Sequence, residues 1–269
     1  MNAHPSSAAT NGADLPLVEL THDAYGVPGV VLLTLNRPDA FNALSEALID
    51  ALQEQLSALA SSAARVVVIA GAGRAFCAGH DLREMRAAPS HDYYTRLFAR
   101  CSKMMLTIQK MPQPVIARVH GVATAAGCQL VAMCDLAVAA DTARFAVSGI
   151  NLGLFCSTPA VPLTRNVSRK AAFEMLMTGE FIDAATAQRE GLVNRVATAD
   201  ELDATVSALA KSICAKSREA VEAGKGLFYR QLEMGIEAAY QLAGQTMACN
   251  MMTDPALDGV QAFIERRGR

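Results

Sequence analysis

No excess of either charge marks this chain of 269 residues: 24 Lys and Arg stand against 26 Asp and Glu, a formal net charge of −2. A nucleic acid or an anionic membrane surface calls for a basic excess, so no nucleic acid is expected as partner and a small molecule is. No stretch of about 18 apolar residues runs uninterrupted by charge, which excludes a membrane span. The seven cysteines (Cys77, Cys101, Cys128, Cys134, Cys156, Cys214 and Cys249) include no CxxC pair and are odd in number. That is the usage of reduced, buried thiols rather than of a disulfide framework. The opening MNAHPSSAATNGADLP has neither the basic start and apolar run of a secretory signal nor the arginines of a transit peptide. Residues 1–14 are expected to be a disordered lead-in, and the cytoplasm is the expected compartment.

Several catalytic and cofactor motifs are missing too. There is no Gly-Lys-Ser/Thr for a phosphate loop, no HExxH and no GxSxG. Gly71-Ala-Gly-Arg-Ala-Phe76 places Phe where the dinucleotide fingerprint needs its third glycine. His4, His22, His80, His91 and His120 show no metal-ligand spacing, so no metal is expected.

What is present is apolar residue, at 52%, enough for one large core with a small helical appendage. Runs rich in Val, Ile and Leu predict strands at Leu17–Thr21, Val30–Leu35, Arg65–Ala70, Pro114–Val119 and Asp135–Ala140. Helical spacing predicts helices at Glu46–Leu59 and at His91–Lys110, the latter through Leu97, Cys101, Met104, Met105 and Ile108. This alternation predicts an α/β core of βαβ-type units. Beyond Pro159 the strand signal fades except near Val193–Val196. Helices are predicted at Arg169–Met177, Ala184–Glu190, Glu201–Lys216, Ala220–Leu232, Ile236–Asn250 and Pro255–Arg267. The expected division is a core over 15–200 and a helical region over 201–269.

Two strand-to-helix junctions carry the functional signal. RVVVIA runs into a long loop of small residues, Gly71 to Leu82, and PVIARV runs into His120-Gly-Val-Ala-Thr-Ala-Ala-Gly-Cys-Gln129, which becomes helical. Small residues let a ligand approach the backbone, and a helix N-terminus presents free N–H groups and partial positive charge. If the two parallel strands are neighbours, both turns lie on one sheet edge. Two N–H groups aimed at one point form an oxyanion hole, suited to a thioester carbonyl that becomes an enolate or a tetrahedral adduct.

Leu35-Asn-Arg-Pro38 with Asn42-Ala-Leu44, Phe76-Cys-Ala-Gly-His-Asp-Leu82, Pro114-Val-Ile-Ala117, Gly121 through Gly127, Cys134-Asp135, Leu176-Met-Thr-Gly179 and Gly191-Leu-Val193 resemble the crotonase (enoyl-CoA hydratase/isomerase) superfamily in order and spacing. The likeness runs from Leu17 to Arg267. It implies a ClpP-like spiral of ββα units with a C-terminal helical region. It also implies an acyl-CoA thioester as ligand, with no cofactor beyond the coenzyme A of the substrate, and assembly as a homotrimer or dimer of trimers through the C-terminal region. By this resemblance the N–H groups of His80 and Ala126 are the oxyanion donors. Ala43, Ala78, Gly79, Asp81, Leu82, Val122 and Gly127 line the substrate, with Ala78 near the adenine, and Phe263 and Arg266 help hold the nucleotide. Ala-Ala-Gly-Cys-Gln-Leu-Val-Ala and Gly-Leu-Phe-Cys-Ser-Thr-Pro look most like the enoyl-CoA hydratase domain-containing protein three subgroup, from which the chain differs in carrying Ala78 before Gly79.

The family's two catalytic glutamate positions hold Gln129 and Gly149 here. Neither can trade a proton, and each general acid or base is typically worth about 10²- to 10⁴-fold, so efficient hydration is not expected. Thioester hydrolysis and binding without chemistry remain as alternatives. His80 reads either as a proton carrier or as a pocket wall. Cys156 or Ser157 reads either as a nucleophile lacking an evident base or, for Ser157 and Thr158 ahead of Pro159, as a helix N-cap. Asp81 reads as a loop cap, Asp135 as a turn or helix-end residue, and His120 as a strand-end residue.

Overall fold

The computed structural model describes residues 15–267, so the lead-in expected over 1–14 lies outside the described residues. Its strands are β1 (Val18–Thr21), β2 (Val30–Leu35), β3 (Val66–Gly71), β4 (Ala75–Cys77), β5 (Val115–Val119), β6 (Val122–Thr124), β7 (Leu136–Ala140), β8 (Arg144–Ala146), β9 (Ile182–Asp183) and β10 (Arg195–Ala197). Helices α1 (Glu46–Ala60), α2 (Leu82–Ala87), α3 (His91–Lys110), α4 (Ala126–Met133), α5 (Ser157–Asn166), α6 (Arg169–Thr178) and α7 (Ala184–Glu190) lie between them. After β10 come α8 (Leu202–Cys214), α9 (Arg218–Leu232), α10 (Ile236–Met251) and α11 (Asp254–Arg267).

Three ββα turns make the spiral. Their first strands, β3, β5 and β7, pair in parallel within a six-stranded sheet of order β1-β2-β3-β5-β7-β10. Their second strands, β4, β6 and β8, pair in parallel within a four-stranded sheet that ends in antiparallel β9. Each turn then returns through a helix: α2 with α3, α4, and α5. This is a spiral of ββα units with a C-terminal helical region, as the resemblance implies.

The large sheet forms where it does because its strands are covered on both faces. Val66 to Ala70 are all buried, which is why that strand reads as an unbroken apolar run rather than an alternation. One face packs on Leu48, Ile49, Leu52 and Leu56 of α1 and on Leu97, Met104 and Ile108 of α3. The other packs Val68, Ile116 and Val138 against Leu202, Val206 and Ala210 of α8. Ser45 starts α1 by accepting from the Leu48 N–H at 3.2 Å, and Ser90 starts α3 by accepting from Tyr93 at 3.2 Å.

The small sheet corrects the reading of 71–82 as a loop, because β4 lies inside it. Strands of two or three residues are too short to show a period, so β4, β6, β8 and β9 leave no pattern in the sequence. Asp135 does more than expected. It does stand in the bend between the C-cap of α4 and β7, but it is also the anchor of α9: Oδ2 accepts from Lys225 Nζ and from the Val115 N–H, each at 2.6 Å, and Oδ1 accepts from the Tyr229 hydroxyl at 2.7 Å. Lys225 donates further to the carbonyls of Ile108 and Gln113, each at 2.8 Å, so the buried ammonium is satisfied on three sides. Burial drives the two groups toward neutrality, Asp135 up and Lys225 down, and their mutual attraction opposes it.

Outside this anchor the C-terminal helices expose Phe228, Leu232, Ile236, Tyr240, Met247 and Met252. A cavity of about 460 Å³ between α9 and α10 is lined by Leu227, Phe228, Ile236 and Tyr240. Among the described residues no helix is long and apolar enough to cross a membrane.

Candidate active site

Both glycine-rich turns leave the small sheet, one after β4 and one after β6, whose strands are neighbours. The first is held by a ladder to the segment after β2. Ala78 N–H donates to the Phe41 carbonyl at 3.0 Å, Leu44 N–H to Gly79 at 2.8 Å and Asp81 N–H to Leu44 at 3.1 Å. Leu44 and His80 form a parallel bridge, so the N–H of His80 faces away from Leu44. Ala43 is thereby brought beside Gly79. Asn42, fully buried, braces the turn by donating to the Ala72 and Ala75 carbonyls at 2.9 and 2.8 Å. Asp81 caps α2, accepting from the N–H groups of Arg83 at 3.1 Å and Glu84 at 3.3 Å, and pairs with Arg37 at 3.0 Å. Burial alone would raise its carboxyl pKa. Hydrogen bonds from Arg37 and Glu84 outweigh that and hold it below the usual value.

At the second turn Ala125 adopts φ 51°, ψ −119°, a conformation that L side chains rarely take, and α4 begins at the next residue. The N–H groups of a helix's first turn have no partner within the helix. Gly79, at φ +94°, makes the close approach between the turns: a Cβ added there falls 2.9 Å from Ala125 Cβ, 3.1 Å from the Thr124 carbonyl and 3.3 Å from the Ala126 nitrogen. A Cβ on Gly127 would collide with the carbonyl of Cys77, so α4 and β4 touch through backbone. Among the described residues no acceptor takes the N–H of His80 or that of Ala126.

The side chains around this junction are poorly satisfied. His80 has no hydrogen-bond partner on either ring nitrogen, and Phe98 of α3 meets the imidazole edge-on at 5.5 Å. Burial lowers its pKa and so favours the neutral ring, partly opposed by the Leu44 carbonyl. Gln129, one turn into α4, is 4% exposed and its Oε1 is unpartnered. His120, by contrast, ties the end of β5 to the first turn through Nε2 and the Gly73 carbonyl at 2.8 Å.

The segment after β8 is closed. Gly149 donates its N–H to Cys156 Sγ at 3.2 Å, and a Cβ there would fall 2.7 Å from that sulfur and 2.7 Å from the Leu154 carbonyl. Ser148 and Thr124 hydroxyls bond each other at 2.9 Å. Burial raises the Cys156 thiol and pushes Cys77, Cys101 and Cys128 up to about 12, so none is a ready thiolate. The expected N-cap is corrected: Cys156 occupies the cap position of α5 without a side-chain bond, while Ser157 is the first helical residue. Its exposed hydroxyl donates to the Phe155 carbonyl at 3.3 Å, with no base beside it.

A sequence profile described as Enoyl-CoA hydratase/isomerase matches residues 27–269. The chain belongs to the enoyl-CoA hydratase/isomerase family. Within it, the chain is 43% identical over 265 residues to rat enoyl-CoA hydratase domain-containing protein 3, mitochondrial, covering 98% of this chain and 87% of the relative. The human protein of that name is 43% identical over 245 residues, 91% of this chain and 81% of the relative. Two solved structures superpose closely. An enoyl-CoA hydratase from Mycobacterium smegmatis has a TM-score of 0.91 and 63% identity, covering 93% of this chain and 97% of that one. Human enoyl Coenzyme A hydratase domain-containing protein 3 has a TM-score of 0.88 and 41% identity, covering 93% and 98%.

Set against the family expectations, the structure gathers Ala43, Ala78, Gly79, His80, Asp81, Leu82, Ala126, Gly127 and Gln129 about the two turns, with Val122 on β6 beside Ala75. Phe263 and Arg266 lie exposed on α11, a helix that packs on α10. Arg37, Asn42 and Phe98 were not singled out from sequence, and Cys156 was weighed only as a nucleophile, not as the partner of Gly149. The first two stand in motifs that mark the family without revealing a role, and the others act only through tertiary contact.

Proposed function

We propose that this chain binds acyl-CoA thioesters and stabilises their enolate between the N–H groups of His80 and Ala126, with coenzyme A entering only as part of the substrate. The abutment of the two turns at Gly79 carries this reading: it puts two acceptor-free N–H groups on adjacent backbones, one of them at a helix N-terminus. A thioester oxygen there accepts both, and its bonds strengthen as it gains negative charge; one such donor is worth about 10²- to 10³-fold in rate. Ala78, Gly79, Leu82 and Ala43 leave the backbone approachable for the rest of the thioester, and Phe263 and Arg266 are assigned to the nucleotide.

Hydration needs hydroxide at Cβ and a proton at Cα. Gln129 can orient water or a carbonyl but does not titrate in the useful range, and Gly149 has its N–H engaged by Cys156 and no room for a side chain. Ordinary hydration is therefore slow in this reading, and thioester hydrolysis through Ser157 or Cys156 lacks an activating base. The apolar face of α9 and α10 supports assembly as a homotrimer or dimer of trimers. The free thiols suit a reducing compartment, the cytoplasm being one; the rat and human relatives are themselves named mitochondrial.

Purified protein with crotonyl-CoA, followed for loss of enoyl absorbance and release of free thiol in one sample, tests the reading. Tight binding with hydration at least 10²-fold slower once both groups are lost is expected. Fast loss of absorbance without thiol would contradict the weight given to Gln129 and Gly149, and thiol release would replace enolate chemistry with hydrolysis.

A further inference from the structure

The two N–H donors of the junction are equipped differently. Ala126 opens α4, and the aligned peptides of that helix lend its N–H partial positive charge. His80 has no helix behind it, since it stands between β4 and α2 on a stretch bonded to residues 41–44. Its own peptide group shows what stands there instead. The Gly79–His80 peptide is trans, so its carbonyl and the His80 N–H point in opposite directions. That carbonyl accepts the Leu44 N–H at 2.8 Å. The Ala43–Leu44 peptide is trans in turn, and its carbonyl accepts Arg37 Nη1 at 2.6 Å. A guanidinium thus heads a hydrogen-bonded line of two peptide groups that ends on the His80 N–H.

The line is held in place at a conformational cost. Phe41 and Asn42 both lie at positive φ, 52° and 54°, which is disfavoured for residues with a Cβ. Asn42, fully buried, secures this turn with both ends of its amide: Oδ1 accepts the Arg37 N–H at 2.9 Å, and Nδ2 donates to the Ala72 and Ala75 carbonyls. The chain thereby doubles back and brings the Ala43 carbonyl onto the Arg37 side chain. Nη2 pairs with Asp81 Oδ2 at 3.0 Å, so one planar group ties the residue before Leu44 to the residue after His80. A charged donor makes a stronger hydrogen bond than a neutral one, and bonds in a chain strengthen one another by about 10–30% each. The cation draws electron density from the Ala43 carbonyl, the Leu44 N–H draws it from Gly79, and the His80 N–H becomes more positive. Asp81 offsets part of the charge, through the other nitrogen.

We propose that Arg37 is a positioning residue of the thioester site, which aims the His80 N–H and strengthens it as a donor by polarising the two peptide groups between them. This rests on the reading of His80 and Ala126 as oxyanion donors, and it supplies the charge for the donor that lacks a helix.

Infrared spectra of carbonyl-labelled butyryl-CoA bound to the full chain test the proposal, with affinities titrated alongside. The parent should move the C=O stretch to lower frequency. Arg37→Met, which removes cation and donor together, should still bind the ester but lose about a quarter of that shift. Arg37→Lys, which can return a charged donor to the Ala43 carbonyl, should recover most of it. Asp81→Ser separates polarisation from bracing: its hydroxyl can still cap α2 but the counter-charge is gone, so the shift should be kept or deepen. A full shift in folded Arg37→Met overturns the proposal alone. So does a loss in Asp81→Ser equal to that in Arg37→Met, because the pair would then only brace the turn. A parent that binds no ester, or binds it with no shift, overturns the oxyanion reading and the proposal with it. If Arg37→Met does not fold, Arg37→Gln, which keeps a neutral donor, takes its place, and a shift equal to that of Arg37→Lys overturns polarisation by the charge.

Discussion

The turn flank and the Gly149 flank of this site are built from similar material, small residues at the ends of short parallel strands, yet they end differently. Around Gly79 and Ala126 the backbones press together and leave N–H groups and side-chain atoms without partners. Around Gly149 a loop folds back so that a sulfur and a carbonyl fill the space of a side chain. The first flank holds polar capacity in reserve at the cost of stability, and the second has closed over the space that a side chain at Gly149 would need. Gly149 is thus not a vacancy but part of a packed wall.

Substitutions can break or sharpen this contrast. Lys225→Ala, outside both flanks, sets the scale: it strands the Asp135 carboxylate in the core and should cost about 3–5 kcal/mol in urea unfolding. Gly127→Ala comes next at about 3 kcal/mol, because its Cβ meets the backbone of β4 and nothing nearby can yield. Gly149→Ala should cost less, about 1–2 kcal/mol, since one of its two close neighbours is a thiol and the loop beyond is exposed. Equal or reversed costs for the two glycines would erase the difference drawn between the flanks. Ala125→Gly should leave stability unchanged or raise it by about 1 kcal/mol, by relieving the positive φ; a loss of that size would show that no strain is held there.

The smallest effect is on pH dependence. His80 and His120 both have pKa values lowered by burial, so as pH falls the unfolded chain takes up their protons first. Their contribution is whole above the unfolded value of about 6.5 and is lost as pH falls through it toward the folded values. Stability measured from pH 7.5 to 5 should decline. The slope should be shallower in His80→Phe, and an unchanged slope would show that His80 is not held neutral.

How much of this was legible beforehand follows from what each residue answers to. The long buried strands and α1 and α3 announce themselves because their periods extend over many residues, and His91–Lys110 is matched end to end. The four short strands of the small sheet have no length over which a period could appear, although they are what place both turns on one edge. His80, Ala126, Gln129 and Gly149 were findable through motif order. The Gly149–Cys156 contact was not, since it depends on how the loop between two residues seven apart closes. Nor was the Asp135–Lys225 pair, whose members stand 90 residues apart.

Infrared spectroscopy of carbonyl-labelled butyryl-CoA bound to the protein tests the two-turn oxyanion site most directly, because the C=O stretch reports hydrogen bonding to that oxygen alone. The site at His80 and Ala126 predicts a clear shift to lower frequency on binding, retained in Gln129→Leu. A bound thioester whose carbonyl stretch matches that in water or moves higher would contradict it.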